Sequence, residues 1–304
     1  MSAENDATLW TINAARFMLQ LRREQCVTLA ASRYNALAGK LLGIMFDLAT
    51  ASGHWNGVPE SRAITFGEIK TVWDEMFNSN SEMPEKDRDR LPEYLNTILK
   101  DHVKLLRSSS DVGYILRFET IFGLLQQTEI DGIICQRYEP LALRLFRFIN
   151  IHKYAEEAQI SDECVAPPNV TKKLLMLMYQ DHLLKIVTIP KTVDRHPLRC
   201  SFLYQADYDH CSQVFTDHTA KAVQNLLLRY QHLETASASL LEKVAEMSND
   251  SSYSDQSISL SPVETRKLAI WRSTSAQLLS TISHLDNTLM LLNRFDSPWK
   301  SNTF

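Results

Sequence analysis

Glycine is scarce, with 8 in 304 residues. None falls in a G-x-G-x-x-G, G-x-S-x-G or Walker arrangement, which excludes the phosphate-cradling loops and nucleophile elbows that need close backbone approach. The five cysteines, Cys26, Cys135, Cys164, Cys200 and Cys211, are odd in number, far apart and form no C-x-x-C. That leaves neither a disulfide framework nor a cysteine zinc site and points to a reducing compartment. No apolar stretch reaches the ~18 to 20 residues of a bilayer span, and the acidic start MSAENDATLW has no apolar h-region. The chain is therefore expected to be soluble and intracellular, with no membrane partner. Cations are not in excess either: the net charge is −4 and the pI about 6.1, with no run of five or more Lys/Arg. A chain-wide basic footprint for nucleic acid is excluded, so any such contact must be local.

What is present is 44% hydrophobic residues, of which the aromatics make up 9% of the chain. With so little glycine, this is the composition of a helix-rich globular protein, and the length predicts two or three units. Nine histidines invite a metal, but none forms H-x-x-x-H or H-E-x-x-H, and His210 and His218 stand eight apart with Cys211 beside the first. Histidines so scattered do not make a ligand set, so no metal is expected. The acidic pairs Glu156-Glu157 and Asp207/Asp209 fall in predicted exposed helix and turn, where carboxylates stay solvated and lack the burial that acid–base tuning needs. Neither catalysis nor a cofactor is expected.

Apolar residues from Leu9 to about Thr50 recur at steps of three and four, predicting two helices or one bent helix, ended by Ser52-Gly53. Thr65 is a plausible N-cap for a helix from Phe66 to Phe77, and a second helix runs from Arg88 to His102. The runs VKLLR and YILRF, joined by SSSDVG, predict a β-hairpin. Three helices followed by a hairpin is the order of a winged-helix domain, placed at 53–119 behind a helical segment over 1–52, with its wing at Ser108 to Gly113. The order then repeats over 120–207. A connecting helix runs from about Thr120 to Cys135, and Pro140 sits at the start of the helix LALRLFRFINI. A polar helix spans Ala155 to Glu163, and Pro167-Pro168 open the amphipathic VTKKLLMLMYQDHL. Two strand-like runs, Leu183 to Ile189 and Cys200 to Gln205, flank a proline-bounded loop holding Lys191, Arg195, His196 and Arg199, which reads as a second wing over about 190–199.

From Tyr208 the pattern changes. Phe215, Ala222, Leu226, Leu233, Leu240, Val244 and Met247 keep roughly heptad spacing, and Leu268, Trp271, Leu278, Ile282, Leu285, Leu289 and Leu292 alternate steps of three and four. The spacing marks a coiled-coil seam, predicting an antiparallel hairpin over 208–297 with a Ser/Asp-rich tip at about 248–262 that cannot bury enough apolar surface to fold. Trp271 and Phe295 are candidates for an exposed partner anchor. The expected fold class is thus mainly α with small β-hairpin wings: two tandem winged helices, then an antiparallel coiled-coil hairpin. Lys172, Lys173, Lys191, Arg195, His196 and Arg199 are the candidate contacts to DNA or to an acidic partner surface. Three cations on the second wing are few, because affinity scales with phosphates neutralised.

The stretch IPKTVDRHPLRCSFLY resembles the second wing and last strand of the RNA polymerase III subunit related to the alpha subunit of TFIIE. LWTINAARFMLQLRREQCVTLAASRYN looks like the helix before that family's third winged helix, LLRYQHLETASASLLEK like the start of its C-terminal coiled coil, and LDNTLMLLNRF like its closing helix. Family members carry four winged helices and a stalk; this chain holds material similar to the last two and the stalk. The resemblance implies a non-catalytic nuclear subunit of the polymerase III heterotrimer. It would have a TFIIE-beta-like winged-helix partner and an acidic third partner, and would sit on the clamp formed by the large subunits. There it would help recruit the initiation factor and open promoters of tRNA, 5S rRNA and other small-RNA genes, with exposed cations holding single- or double-stranded DNA. Two other classes compete. A free-standing winged-helix regulator dimerising through its C-terminal helices would need a more basic third helix, and a scaffold of the proteasome-lid or translation-factor kind would not explain the wing motif.

Overall fold

A computed structural model describes residues 12–51, 58–79, 87–109, 113–190, 200–249 and 260–293. The chain divides into two compact units, residues 1–128 with 294–304, and residues 129–293.

The first unit opens with α1 (Ala14–Arg33) and α2 (Ala36–Thr50), two separate helices capped by Asn13 and Asn35, whose side chains accept from the backbone N–H of Arg16 and Ala38. α2 is apolar on nearly every side because it is the centre of the unit: Leu41, Leu42, Met45 and Phe46 are all buried. Its Gly39 and Gly43 let α1 approach closely, since a Cβ there would stand 2.7 Å from the Val27 carbonyl and 2.8 Å from the Val27 side chain. α3 (Phe66–Ser79) starts at Thr65. Thr65 and Glu68 cap each other reciprocally, the Thr65 N–H donating to Glu68 Oε2 at 2.8 Å and the Glu68 N–H to Thr65 Oγ1 at 3.3 Å. α4 (Leu91–Lys100) is shorter than its sequence pattern suggests, because Arg88 to Arg90 form a turn and Asp101 leaves the helix in extended conformation. β1 (Leu106–Ser109) pairs antiparallel with β2 (Gly113–Leu116). The first wing is therefore narrower than Ser108 to Gly113. Ser108 pairs with Tyr114 and Ser109 with Gly113, which leaves only 110–112, outside the described residues. Ile64 adds a one-residue bridge to Tyr114, exchanging two backbone hydrogen bonds of 2.8 Å.

α5 (Phe118–His152) is interrupted at Glu139, which takes φ 79 immediately before Pro140; Pro140 opens the segment that enters the second core. The expected polar helix from Ala155 is preceded by a short strand, β3 (Ala155–Glu156), so α6 covers only Glu157–Glu163. α7 (Pro168–Gln180), β4 (Leu184–Pro190) and β5 (Cys200–Ala206) follow. The sheet order is β3-β5-β4, antiparallel throughout. The first unit has the same connection order, with the Ile64 bridge in the place of β3. Phe146, Ile149, Ile160, Leu175, Met178 and Leu183 fill the second core, joined by Cys211 and Phe215 of α8 (Tyr208–Ala236). α9 (Ala238–Asn249) and α10 (Pro262–Leu292) complete the described chain. α10 runs antiparallel along α8: the Ser212 hydroxyl donates to the Leu292 carbonyl at 2.9 Å, and past the other end of α8, Lys243 of α9 pairs with Glu264 at 2.7 Å.

Candidate docking and nucleic-acid interface

The third helix of the second unit is set by two prolines and a buried stripe. Pro167 is extended, Pro168 occupies the first turn, and Thr171, Leu174, Leu175 and Met178 recur at helical spacing on the inward face. The outward face carries Lys172 and Lys173, both exposed and without an ion pair among the described residues. It also carries Val170, Met176, Leu177 and Tyr179, which remain 39%, 47%, 38% and 40% exposed. Two cations among four large apolar or aromatic groups make a poor phosphate clamp and a good protein-contact surface.

The C-terminal end of α7 is clasped from α5. Asp181 accepts a hydrogen bond from the Tyr138 hydroxyl and an ion pair from Arg137 at 3.0 Å. A second clasp of the same kind ties α5 to α8: Asp131 accepts from the Tyr208 hydroxyl at 2.9 Å and from Arg147 at 2.6 Å. Burial first, then the hydrogen bond to a carboxylate, pushes both tyrosine hydroxyls well above their ordinary range. A third clasp stands in the first unit, where Asp101 accepts from Arg33 at 2.5 Å and from the Tyr34 hydroxyl. The Arg33 hydrogen bond leads in holding the Asp101 carboxyl far below the usual carboxylate range, against desolvation, and Tyr34 and the Val103 N–H add to it. These three carboxylates were not singled out from the sequence. The adjacent pairs Arg33-Tyr34 and Arg137-Tyr138 were the available signal, but their partners lie 68 and 44 positions away.

Lys191, Arg195, His196 and Arg199 lie outside the described residues, between Pro190 and Cys200 in the sequence. Of the proposed seam, Leu268, Leu278 and Leu292 are buried. Leu226, Leu233, Leu240, Trp271, Ile282, Leu285 and Leu289 are half-buried. Among the described residues the indole N–H of Trp271 is buried without a partner, so the ring does not stand out as an exposed anchor, and Phe295 is outside the described residues. Burial pushes the Cys26 and Cys211 thiols up to about 12, which disqualifies them as thiolate nucleophiles near neutrality. Among the described residues no group of His, Cys, Asp and Glu could hold a metal ion, and no helix is long and apolar enough to cross a membrane.

The second unit's strand and helix order is that of a winged helix, and residues 130–206 match the model of the POLR3C C-terminal winged-helix domain. Residues 1–122 match that of RNA polymerase III subunit RPC82, so the two models together take in about two thirds of the chain. The chain belongs to this RNA polymerase III subunit family. Among its relatives, DNA-directed RNA polymerase III subunit rpc3 of Dictyostelium discoideum is 25% identical, over 96% of this chain and 44% of that protein. The RPC3 subunit of Bos taurus is 23% identical and that of Homo sapiens 22%, each over 79% of this chain and 44% of the relative. The chain therefore spans less than half the length of these RPC3 relatives.

Proposed function

We propose that this chain is a non-catalytic assembly subunit of RNA polymerase III that works by docking in the nucleus. The observation that carries the reading is the outward face of α7, apolar and weakly basic, on a winged helix of this family. The reading treats 53–119 and 120–207 as tandem winged helices and 208–297 as an antiparallel coiled-coil stalk built on the Leu226 to Leu292 seam. The stalk closes in cis, since α10 covers the inward side of α8. This favours a subunit within a larger complex over a regulator that dimerises through the same helices.

In this reading the winged helices and stalk present rigid faces to the clamp of the large subunits, to a TFIIE-beta-like winged-helix partner and to an acidic third subunit. They help recruit the initiation factor and support promoter opening at tRNA, 5S rRNA and other small-RNA genes. Lys172, Lys173, Lys191, Arg195, His196 and Arg199 contribute local electrostatic contact to acidic protein or to promoter DNA, while nucleotide addition belongs to the large subunits. Mass spectrometry of proteins copurifying with the tagged chain from nuclear extract tests this. The polymerase III large subunits and both heterotrimer partners are expected with the unaltered chain and lost with Met176→Glu/Leu177→Glu. A folded, soluble chain that recovers no polymerase subunit overturns the proposal for this chain.

A further inference from the structure

The second unit contains a groove of about 700 Å³ that shares only Tyr179 with the docking face of α7. One wall is α8, the other is β4 with Gln205 of its paired neighbour β5, and Tyr179 and His182 at the C-terminal end of α7 close it. Its polar lining is unbalanced: His182, Lys185, His210, His218 and Lys221 face a single acid, Asp217. Its apolar lining comes from Leu184, Ile186, Val187 and Val214. The lining takes four consecutive residues of β4, Leu184 to Val187, from both of its faces, as a groove running along a strand does. In the order β3-β5-β4 that strand is at the edge of the sheet, so among the described residues one side of its backbone has no strand partner.

We propose that this groove binds an extended acidic segment of a partner protein, added as a fourth strand along β4. The unpaired N–H and C=O groups of an edge strand supply main-chain affinity. The side chains of an added strand alternate between the two faces of the sheet, so its carboxylates would lie on the face of Lys185 and Val187, toward Lys185, Lys221 and the histidines, and its apolar residues on the face of Ile186. A nucleic-acid strand fits less well. Only two lining residues carry a permanent positive charge, and Asp217 opposes them. The site meets the α7 face at Tyr179 alone and acts in the purified chain whether or not the polymerase reading holds.

Fluorescence anisotropy with a labelled synthetic peptide of about ten residues, alternating valine and glutamate, tests this at the length of one strand with flanks. Saturable binding is expected, weakening with salt and falling at least tenfold for Lys185→Glu/Lys221→Glu. Both lysines are exposed, so circular dichroism should show an unchanged fold. The same peptide N-methylated at alternate residues, which removes strand hydrogen bonds but keeps its charge, should lose binding. Equal binding of the methylated peptide overturns strand addition. Tighter binding of a single-stranded oligonucleotide of equal charge, or no response to the double charge reversal, overturns the acidic-peptide assignment.

Discussion

The two units share an order of connection but not a surface. In the first, α4 turns out Pro92, Glu93, Asn96, Thr97 and Lys100, which are polar apart from the proline and carry one charge of each sign near its ends. In the second, α7 at the same place in the order turns out Val170, Met176, Leu177 and Tyr179 around two lysines. The inward faces are alike, because each helix must bury a three- and four-spaced stripe against its own core. The outward faces are free of that constraint and record what each helix meets. The cores also close differently. The first unit completes its sheet with a single residue, Ile64, and the second with the strand Ala155–Glu156.

Core truncation gives the largest effect. Trp73→Ala in the first unit and Phe146→Ala in the second should each cost about 3 to 5 kcal/mol, since both side chains are fully buried. Hydrogen exchange should show lost protection concentrated in 12–128 for the first and in 129–293 for the second. Equal loss in both units from either variant would break the division into two.

Next come the clasps. Asp101→Ala removes a nearly buried carboxylate and strands Arg33, at a cost of about 3 kcal/mol. Because the folded carboxyl titrates far below its ordinary value, the stabilisation is complete above about pH 4 and fades as the pH falls below it. Asp101→Asn should flatten the acid limb of the first unit's urea stability, and an unaltered limb would remove Asp101 as its cause. The second unit should instead lose stability on the alkaline side. Tyr138 and Tyr208 have raised values, so their contribution is complete below about pH 10 and declines above it.

Gly113 sharpens the contrast between the wings. It takes φ 137, and a Cβ would stand 2.1 Å from the Ile64 carbonyl oxygen, so Gly113→Ala should cost the first unit about 1 to 3 kcal/mol by strain. A neutral substitution would show that the bridge can yield. The smallest expected change is Tyr138→Phe, about 1 kcal/mol, read by denaturant midpoint against Tyr208→Phe.

Much of the helix order was legible. Thr65 with Glu68, Pro140, and Pro167-Pro168 mark helix starts by local chemistry, and the Ser/Asp/Gly turn between two apolar runs marks a hairpin. The strand at Ala155 carries no periodicity of its own in two residues, and it forms only when Tyr204 and Leu203 come alongside. Trp271 has the spacing of a seam and the chemistry of an anchor, and only packing shows its N–H buried. Nothing within a few residues of the three aspartates announces an arginine and a tyrosine arriving from elsewhere.

The sequence by itself determined where the capped and proline-opened helices begin and which stripe of each faces inward, because capping, periodicity and turn chemistry act over a few neighbouring residues. Tertiary structure alone decided that α7 shows an apolar face, that Asp101, Asp131 and Asp181 are clasped, and that β4 is an edge beside a basic groove. Those facts depend on groups tens of residues apart, and only packing brings them together.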